Sequence, residues 1–386
     1  MTSMEILTGS RKTPLPEGWR WVKLGDACRV VNGTTPKSGV QEYWGGDIVW
    51  VTPTDLGRLD LPYIKGSERR ITNEGFESGN LEIVPAGSVV LSSRAPIGHL
   101  GIASVPLCTN QGCKSFVLGE GIDSDFLFFA LKDSVSEIQQ LGSGATFTEV
   151  SKTQLEKFEI PVSPLPEQKR IAAILRERMD AVERARKSAE EQLEAAQALM
   201  HSHLRQIFEG KEAQQWRKII FESVAILQRG YDLPIQNRTP GQYPVMTSSG
   251  ENGNNHECMA KAPGVITGRS GSIGNVYYIE KDYWPHNTAL FVKDFQGNYP
   301  RYIFFLLQWI DLKSIANATG VPTLDRKSVH KVRVPHPDLA KQKEISDYLS
   351  GKFYDVEILK DKVESQLTTI NTLPGALLRQ AFRGEL

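Results

Sequence analysis

The sequence predicts an α+β protein with a pseudo-two-fold internal repeat, in which two similar domains are separated by two long helices packed as an antiparallel coiled coil. Three observations lead to this prediction. The chain of 386 residues aligns with itself over most of its length. Each repeat begins with short β-branched runs punctuated by glycine and proline, which is typical of strands and turns. Each repeat ends in a long segment whose apolar residues have helical spacing.

The duplication is clearest in the second part of each repeat. Residues 153–175 align without gaps with residues 327–349, so the offset is 327 minus 153, or 174 positions. The same offset relates residues 203–210 to residues 377–384. Upstream the offset varies slightly, as loop insertions between equivalent strands would cause. A match of this extent indicates one structural plan used twice.

The second part of each repeat predicts a long amphipathic helix, because its apolar residues recur at gaps of 3, 4 and 7. Prolines precede each segment, and Gly210 and Gly384 follow, as helix starts and caps often require. A helix of about 40 residues is about 60 Å long and cannot bury its apolar stripe alone, so we expect the two helices to pack together. Pro374 stands where the first repeat has Met200, and we expect the second helix to break or kink there.

The first part of each repeat predicts a mixed sheet with a helix packed on it. The predicted helices are residues 126–141 and residues 302–317, which are both rich in aromatic and aliphatic side chains. Runs of β-branched residues bounded by glycine and proline predict the strands. These runs are residues 48–56, 88–98 and 101–107 in the first repeat, and residues 264–274 and 274–280 in the second.

The composition is that of a globular chain with balanced charge. Hydrophobic residues make up 40% of the chain, enough to fill two or three domains. No apolar run approaches the roughly 20 residues that span a bilayer, and the start carries no signal-peptide pattern, so we expect a cytoplasmic protein. The 45 basic and 45 acidic residues argue against a solitary DNA-binding regulator, which would need its own positive field. The four cysteines form no CxxC pair, so we expect neither a metal site nor a disulfide.

Three short motifs that could indicate catalysis have simpler interpretations. Residues 167–169, Glu-Gln-Lys, match part of a nuclease metal site, but the counterpart is Lys-Gln-Lys at residues 341–343, which favours a structural helix start. Residues 268–274, GRSGSIG, lack the Lys-Ser/Thr of a P-loop, so a turn between strands is favoured over nucleotide binding. His201 and His203 would point to different faces of a helix, which argues against a shared metal ion.

Longer segments carry a family resemblance. They are LPEGWRWVKLGD (15–26), VNGTTP (31–36), GSGATFTEVSKTQLEKFEIPVSPLPEQKRIAAIL (142–175) and LRQIFEG (204–210). Together with the duplicated layout, they make nearly the whole chain similar to the specificity subunits of Type I restriction-modification systems. One departure is the second tail, which reads DLAKQKEI where the first reads PLPEQKRI, so equal partner contacts at the two repeats do not follow.

The resemblance implies a non-catalytic subunit that recognises DNA sequence within a methyltransferase/endonuclease complex. Its implied partners are double-stranded DNA, two modification (methyltransferase) subunits and restriction (translocase/nuclease) subunits. S-adenosylmethionine, ATP and Mg²⁺ would be bound by those partners, and no cofactor by this chain. The expected organisation is an N-terminal tail (1–14), target-recognition domain 1 (15–157), a first spacer helix (158–210), target-recognition domain 2 (211–331) and a second spacer helix (332–386).

The absence of two catalytic motifs distinguishes the hypothesis of a recognition subunit from that of an enzyme. The sequence has no methyltransferase signature of the Asn/Asp-Pro-Pro-aromatic kind and no glycine-rich cofactor loop after a first strand. These absences favour a recognition and scaffold subunit over a self-sufficient enzyme acting on DNA or on a sugar, which stays the alternative. Because the domains diverge in their loops while the tails stay alike, we expect a bipartite, asymmetric DNA target. Helices of about 60 Å would set the spacer, with half-site centres between about one and two turns of B-DNA apart.

Contacts to DNA are expected from polar loop side chains, because no helix-turn-helix or zinc-finger signature is visible. For each such residue, an ordinary solvated loop side chain is the alternative interpretation. Arg94 and Arg269 are favoured, since both repeats keep an arginine in an equivalent turn. The candidates are Thr34, Thr35, Lys37, Thr52, Thr54, Ser92, Ser93, Arg94 and Lys114 in the first domain, and Arg229, Tyr231, Ser248, Asn252, Asn254, Asn255, Arg269, Ser270 and Asn287 in the second.

Overall fold

A computed structural model describes residues 14–142, 149–317 and 322–386 of the chain. The described residues form two compact units: unit 1 comprises those within 1–187 and 368–386, and unit 2 comprises those within 188–367. Each unit therefore contains one mixed domain and a part of each long helix. No helix in the described ranges has the length and apolar character needed to cross a membrane.

The mixed domain of unit 1 contains ten strands and six short helices in the described residues, and the first long helix follows it. In chain order these elements are β1 (Arg20–Lys23), α1 (Leu24–Ala27), β2 (Cys28–Asn32), β3 (Trp44–Val51), α2 (Pro53–Gly57), β4 (Tyr63–Ile64), β5 (Arg70–Ile71), α3 (Asn73–Glu77), β6 (Val89–Ser93), β7 (Ile97–Ala103), β8 (Cys108–Thr109), β9 (Cys113–Leu118), α4 (Ser124–Asp133), α5 (Val135–Leu141), α6 (Lys152–Lys157), β10 (Glu159–Val162) and α7 (Leu165–Phe208).

Three sheets organise the strands of unit 1. The largest has the order β2-β9-β6-β7-β4, a smaller one has the order β5-β3-β8, and β1 pairs with β10. All five residues of β6 are buried, as expected of a strand in the middle of a sheet with both faces covered. Its antiparallel register with β9 sets Val89 opposite Phe116 and Leu91 opposite Lys114, which fixes the position of that lysine.

Unit 2 repeats this plan with nine strands and three short helices in its described residues. The elements are β11 (Arg217–Ile220), β12 (Ile226–Arg229), β13 (Tyr243–Thr247), β14 (Gly250–Asn255), β15 (Gly264–Gly268), β16 (Val276–Ile279), β17 (Trp284–Pro285), β18 (Ala289–Asp294), α8 (Pro300–Trp309), α9 (Leu312–Ile315), α10 (Arg326–His330), β19 (Arg333–His336) and the second long helix α11 (Leu339–Phe382). Its sheets have the orders β12-β18-β15-β16, β14-β13-β17 and β11-β19.

In unit 1, the beginning of α7 and the end of α11 share one core with the domain. Phe126 of α4 lies 5.4 Å from Phe382 between ring centroids, in an edge-on arrangement. Leu175 of α7 and Leu378 of α11 are buried in the same cluster. Burying such a side chain contributes roughly 1.5–3 kcal/mol. The core of unit 1 is therefore completed by the beginning of α7 and by the end of α11.

In unit 2, the end of α7 and the beginning of α11 share the core instead. Phe305 of α8 lies 5.0 Å from Phe353 of α11, and Tyr302 lies 5.8 Å from Phe208 of α7. Each unit by itself thus brings together opposite ends of the two helices, which is the pattern of antiparallel pairing. The predicted α+β class with two similar domains and two long helices is confirmed.

The structure differs from the predicted helices in two respects. Each predicted single helix on the sheet is divided in two, as α4 and α5 in unit 1 and as α8 and α9 in unit 2. In unit 1 the division falls at Ser134, whose hydroxyl donates to the carbonyl of Ala130 at 2.9 Å and ends α4. Of the expected break or kink at Pro374, the break is wrong, because α11 continues through this residue to Phe382, and the kink stays a prediction. A proline removes one backbone donor, and the remaining hydrogen bonds of the helix continue beyond it.

A turn that both repeats retain explains one conserved feature of the duplication. Gly98 has φ +112° and Gly274 has φ +92°, a region that L side chains rarely adopt. A Cβ at Gly98 would lie 2.5 Å from Cγ1 of Val135. The glycine of each Ile-Gly pair is therefore required by its backbone conformation, and at Gly98 also by the helix beside it.

A buried glutamine connects the domain of unit 1 to the start of its long helix. Gln168 is fully buried. Its Oε1 accepts from the backbone N–H of Asp123 at 2.9 Å, and its Nε2 donates to the carbonyls of Gly121 at 2.9 Å and of Ser163 at 2.8 Å. One side chain thus satisfies three backbone groups that precede α4 and α7.

The matching glutamine of unit 2 has the same role. Gln342 is 1% exposed. Its Oε1 accepts from the backbone N–H of Tyr299 at 2.9 Å, and its Nε2 donates to Oδ1 of Asn298 at 2.8 Å and to the carbonyl of Pro337 at 3.0 Å. The Glu-Gln-Lys motif at residues 167–169 is thereby explained as a structural joint, in agreement with the favoured interpretation.

We predict that Gln168→Leu lowers the free energy of unfolding by about 2–4 kcal/mol, because it leaves three buried backbone groups without partners. Chemical denaturation of the whole chain, followed by circular dichroism, measures this change. Gln192→Leu is the matched control, because Gln192 is exposed on the same helix. A loss below about 0.5 kcal/mol, as expected for a surface substitution, would contradict the assigned role.

Candidate nucleic-acid interface

A chain of polar contacts joins three of the predicted residues of unit 1. Arg94 Nη1 lies 3.7 Å from Oε2 of Glu149, and Lys114 Nζ lies 3.2 Å from Oε1 of the same carboxylate. Lys114 Nζ also donates to the carbonyl of Gln111 at 3.4 Å, and the hydroxyl of Thr35 donates to Oε1 of Gln111. The strand ends and loops therefore bring Thr35, Arg94 and Lys114 into one network, with Glu149 at its centre.

Lys114 is the buried member of this network. Its side chain is 6% exposed, whereas that of Glu149 is 38% exposed. A buried ammonium group is costly unless it is paired, so the carboxylate of Glu149 is required where it lies. Lys114 was predicted to contact DNA, but its Nζ is enclosed and already bound within the protein. Lys114 therefore has a structural role, because it holds the loop that contains Gln111.

Other candidates of unit 1 also have internal roles. Ser92 and Ser93 are fully buried, so neither hydroxyl can reach a ligand in this structure, and their prediction as DNA contacts is corrected. Ser92 Oγ donates to the carbonyl of Pro96 at 2.7 Å and accepts from the N–H of His99 at 2.8 Å. Thr52 caps α2 by accepting from the N–H of Asp55 at 3.3 Å.

The remaining residues of unit 1 lie at the surface or near it. Lys37 and Thr54 are exposed. Thr34 is half-buried, and its hydroxyl donates to the carbonyl of Asn80 at 3.2 Å. Their function as DNA contacts stays a prediction.

Three arginines line one open cavity in unit 2. The cavity has a volume of about 450 Å³ and is lined by Arg229 at the end of β12, Arg269 after β15 and Arg326 at the start of α10, together with Thr323 and Asp325. Arg229 and Arg326 are exposed, and Arg269 is half-buried. Arg269 Nη1 donates to the carbonyl of Asn287 at a long 3.5 Å. Two predicted residues therefore meet here, and Arg326 joins them.

The two favoured arginines do not occupy the same backbone position. Arg94 forms an isolated bridge with Glu149, whereas Ser270, the residue after Arg269, forms the corresponding bridge with Thr323. Thr323 is the counterpart of Glu149 at the offset of 174, since 149 plus 174 is 323. Both arginines lie in the predicted turn, but the structure shifts Arg269 by one residue relative to Arg94. Arg94 and Arg269 therefore lie in equivalent turns, but they do not occupy equivalent positions within them.

Several other candidates of unit 2 have structural roles. Asn255 is 2% exposed, and its side chain binds the N–H of Thr239 at 3.1 Å and the carbonyl of Glu257 at 3.2 Å. Ser248 is 8% exposed, which leaves little of it available to a ligand. Tyr231 packs its ring against Trp284 with centroids 6.3 Å apart. The prediction of these three residues as DNA contacts is weakened, because each is held inside the fold.

The last candidates of unit 2 remain accessible. Asn252 and Asn254 are exposed on β14, and Asn252 Oδ1 accepts from Arg238 at 3.1 Å. Asn287 is half-buried, and its amide donates to Oδ1 of Asp232. Ser270 is half-buried beside the arginine cavity. These residues stay predictions as DNA contacts.

No sequence pattern indicated Glu149 or Arg326. Glu149 lies 55 positions from Arg94 and 35 from Lys114, so no local pattern connects them. Arg326 begins a short helix of five residues, where a basic residue is unremarkable. Only the duplication could have indicated these two residues, because position 149 corresponds to 323 and position 152 to 326 at the offset of 174.

Three of the four thiols are buried, and the suspected motifs have structural positions. Burial raises the pKa of Cys28 to about 11 and the pKa of both Cys108 and Cys113 to about 12, so these thiols stay protonated at neutral pH. Within residues 14–142, 149–317 and 322–386 no group of three or more His, Cys, Asp or Glu could hold a metal ion. Residues 268–274 form the connection between β15 and β16 of one sheet, as a strand-to-strand turn requires.

Comparison with known proteins adds a family match for both repeats. A family model described as "Type I restriction modification DNA specificity domain" matches residues 16–194 and again residues 220–369. The specificity subunit of the Type I restriction enzyme MjaIX from Methanocaldococcus jannaschii is 38% identical over 178 residues, which cover 46% of this chain and 41% of that subunit. The specificity subunit of EcoprrI from Escherichia coli is 23% identical over 378 residues, 91% of this chain and 93% of that one. The chain thus aligns with about two fifths of the length of the MjaIX subunit.

Two solved structures share the fold. One chain, from work on complex assembly and conformational transition of the type I R-M system, has a TM-score of 0.79 at 19% identity and covers 97% of this chain and 100% of its own length. The HsdS subunit from Thermoanaerobacter tengcongensis has a TM-score of 0.61 at 19% identity, with coverage of 97% and 99%. At such identities the likeness shows the fold alone.

We predict that Glu149→Gln lowers the free energy of unfolding by about 1–3 kcal/mol, because the buried ammonium of Lys114 loses its counter-charge. The effect is smaller than for a fully buried pair, since the Glu149 side chain is 38% exposed. Glu156→Gln is the control: its pair with Lys152 is exposed on α6, and we expect a change of about 0–1 kcal/mol. Denaturation curves of both variants test the difference, and equal losses would argue against the role of Glu149.

Proposed function

The chain belongs to the Type I restriction modification DNA specificity family, and we propose that it is the subunit that selects the DNA sequence for a Type I restriction-modification complex. The observation that carries this proposal is the pair of similar domains, each with polar and basic side chains gathered at the same group of strand ends and loops. Such side chains can donate hydrogen bonds to phosphates and to base edges. Each domain would bind one half of the DNA target.

The two half-sites would differ in sequence. Unit 1 offers a network in which Glu149 pairs with Arg94 and Lys114, whereas unit 2 offers Arg229 and Arg269 without such a carboxylate. Base choice depends on which donors and acceptors face the groove. Because the two surfaces differ in both charge and hydrogen-bonding groups, we expect an asymmetric, bipartite target.

The catalytic steps would belong to partner subunits. The sequence contains no methyltransferase signature of the Asn/Asp-Pro-Pro-aromatic kind, so methyl transfer would need two modification subunits that bind S-adenosylmethionine. Restriction subunits would bind ATP and Mg²⁺ and cut the DNA. Support for such an assembly comes from the solved chain with a TM-score of 0.79, which was described in work on complex assembly of the type I R-M system.

We predict that the purified chain neither methylates nor cleaves DNA when supplied with S-adenosylmethionine, ATP and Mg²⁺. Co-expression with the modification subunit should give a complex with two copies of that partner, and this complex should methylate one bipartite sequence. Native mass measurement and mapping of methylated sites test both parts. Turnover by the chain alone would overturn the proposed function, as would failure to form any complex.

The chain segments that join the two units would fix the spacing of the half-sites. Both α7 and α11 pass from one unit to the other, and 44 residues make each about 66 Å long. We predict that inserting seven residues after Ala189 and seven after Val363, the matching position, lengthens the preferred spacer by about three base pairs. Seven residues add two turns, or about 10.5 Å, and keep the apolar stripe in register.

Mapping methylated sites in cells that express the elongated chain reads out this change. Substitution of seven residues at the same places, without a change of length, is the control and should leave the spacer as it was. An altered half-site sequence with an unchanged spacer would contradict the role of the helices.

A further inference from the structure

We propose that the cavity between Arg229, Arg269 and Arg326 binds a backbone phosphate of DNA, and that unit 1 has no equivalent site because its basic residues are already paired. This inference rests on the proposed function and deepens it, since it assigns the phosphate contact to one unit. It follows from a comparison of equivalent positions in the two units, which share a fold and differ in their carboxylates.

In unit 1 the basic residues around this place have carboxylate partners. Arg94 and Lys114 share Glu149, at 3.7 Å and 3.2 Å. Lys152 Nζ at the start of α6 lies 3.6 Å from Oε1 of Glu156, one helical turn later. Each of these three cations therefore has a carboxylate partner within the protein, and an incoming phosphate would have to compete with two glutamates.

In unit 2 both glutamates are replaced by residues without a carboxylate. At the offset of 174, Thr323 stands for Glu149 and His330 stands for Glu156, while Arg326 stands for Lys152. Among the described residues, none of the three arginines of the cavity forms an ion pair with a carboxylate within 4.0 Å. Unit 2 therefore lacks the negative charges of Glu149 and Glu156 but keeps a cation, Arg326, at the position of Lys152.

Arg229, the third arginine of the cavity, has no charged counterpart in unit 1. Arg229 pairs with Leu290 of β18, which also pairs with Thr267 of β15. At the same place in the register of unit 1, Asn32 pairs with Lys114. Strand β12 therefore supplies a guanidinium where unit 1 has an uncharged amide.

The carboxylate and the histidine next to the cavity do not cancel its charge. Among the described lining residues Asp325 is the one acidic side chain, and its Oδ1 accepts from the N–H of Lys327 at 3.2 Å as a helix cap. His330 Nε2 accepts from the N–H of Leu227 at 2.9 Å and its Nδ1 lies 3.4 Å from Glu222, while burial lowers its pKa, so it is neutral at neutral pH. Three guanidinium groups thus face one carboxylate.

A phosphodiester is the ligand that this arrangement fits. Like charges around one cavity repel each other, and an anion between them removes that repulsion. The planar fork of a guanidinium matches two oxygens of a phosphate, which is why arginine is favoured at phosphate sites. In a protein that selects DNA, the phosphate is that of the duplex backbone, and such a contact positions the protein without reading a base.

The test is the salt dependence of DNA binding by the complex assembled with modification subunits, measured by fluorescence anisotropy on a duplex with the mapped target and on a random duplex. Each protein–phosphate contact contributes about 0.9 to the slope of log Kd against log salt concentration. We expect Arg229→Gln, Arg269→Gln and Arg326→Gln each to lower this slope on both duplexes by up to that amount, and Arg326→Lys to retain it. Lys152→Gln, the matched change in unit 1, should leave the slope unchanged.

Two exchange variants test the comparison without removing any arginine. Thr323→Glu should lower the slope by about one by importing the carboxylate of unit 1, and Glu149→Thr should raise it by freeing Arg94. Circular dichroism confirms that each variant is folded before its slope is interpreted.

Unchanged slopes in Thr323→Glu and the three glutamine variants would overturn the inference, as would a loss of affinity confined to one DNA sequence, which would indicate a base contact. These outcomes leave the proposed function intact as long as the complex prefers its mapped target. If the unmodified complex shows no preference for that target over the random duplex, the proposed function itself fails.

Discussion

A helix of 44 residues with an apolar stripe cannot bury that stripe by itself, and the whole chain is arranged around this constraint. Unit 1 buries the beginning of α7 and the end of α11 in the core of its domain, through residues such as Leu175 and Phe382. Unit 2 buries the other two ends, through Phe208 and Phe353. Each core is thus closed by segments far apart in sequence, so neither domain is complete without both helices.

The hydrogen bonds that connect each domain to its long helix are as specific as the apolar packing between them. Backbone groups before α4 and α7 would be buried without partners, and one amide side chain, that of Gln168, satisfies three of them. Gln342 uses the same geometry in unit 2, although the neighbouring residues differ: Asn298 presents a side-chain oxygen where unit 1 presents the carbonyl of Gly121. The orientation of each domain on its helix is therefore determined by directional hydrogen bonds as well as by apolar contact.

The two units differ in how the basic side chains near the shared turn are paired. In unit 1 a glutamate at position 149 compensates the cations around it, including a lysine that is almost fully enclosed. In unit 2 a threonine stands at that position, and the arginines remain open to solvent. The neutral net charge of the chain therefore coexists with a local concentration of positive charge around the arginine cavity of unit 2.

The sequence by itself determined the features that depend on local or repeated patterns. Helical periodicity identified α7 and α11, β-branched runs identified strands β3, β6, β7, β15 and β16, and the offset of 174 positions identified the duplication. The family was indicated by the resemblance of longer segments such as residues 142–175. These patterns suffice because side-chain burial follows the period of the element that carries it.

Only the tertiary structure decided which polar side chains are available to a ligand. Ser92 and Ser93 lie on β6, whose five residues are all buried, and Lys114 lies on β9, where its pairing with Leu91 places it inside the sheet. A difference of one residue in the same turn separates Arg94 from Arg269. Ion pairs such as that of Arg94 with Glu149 join residues 55 positions apart, so the three-dimensional path of the chain, and no local pattern, determines them.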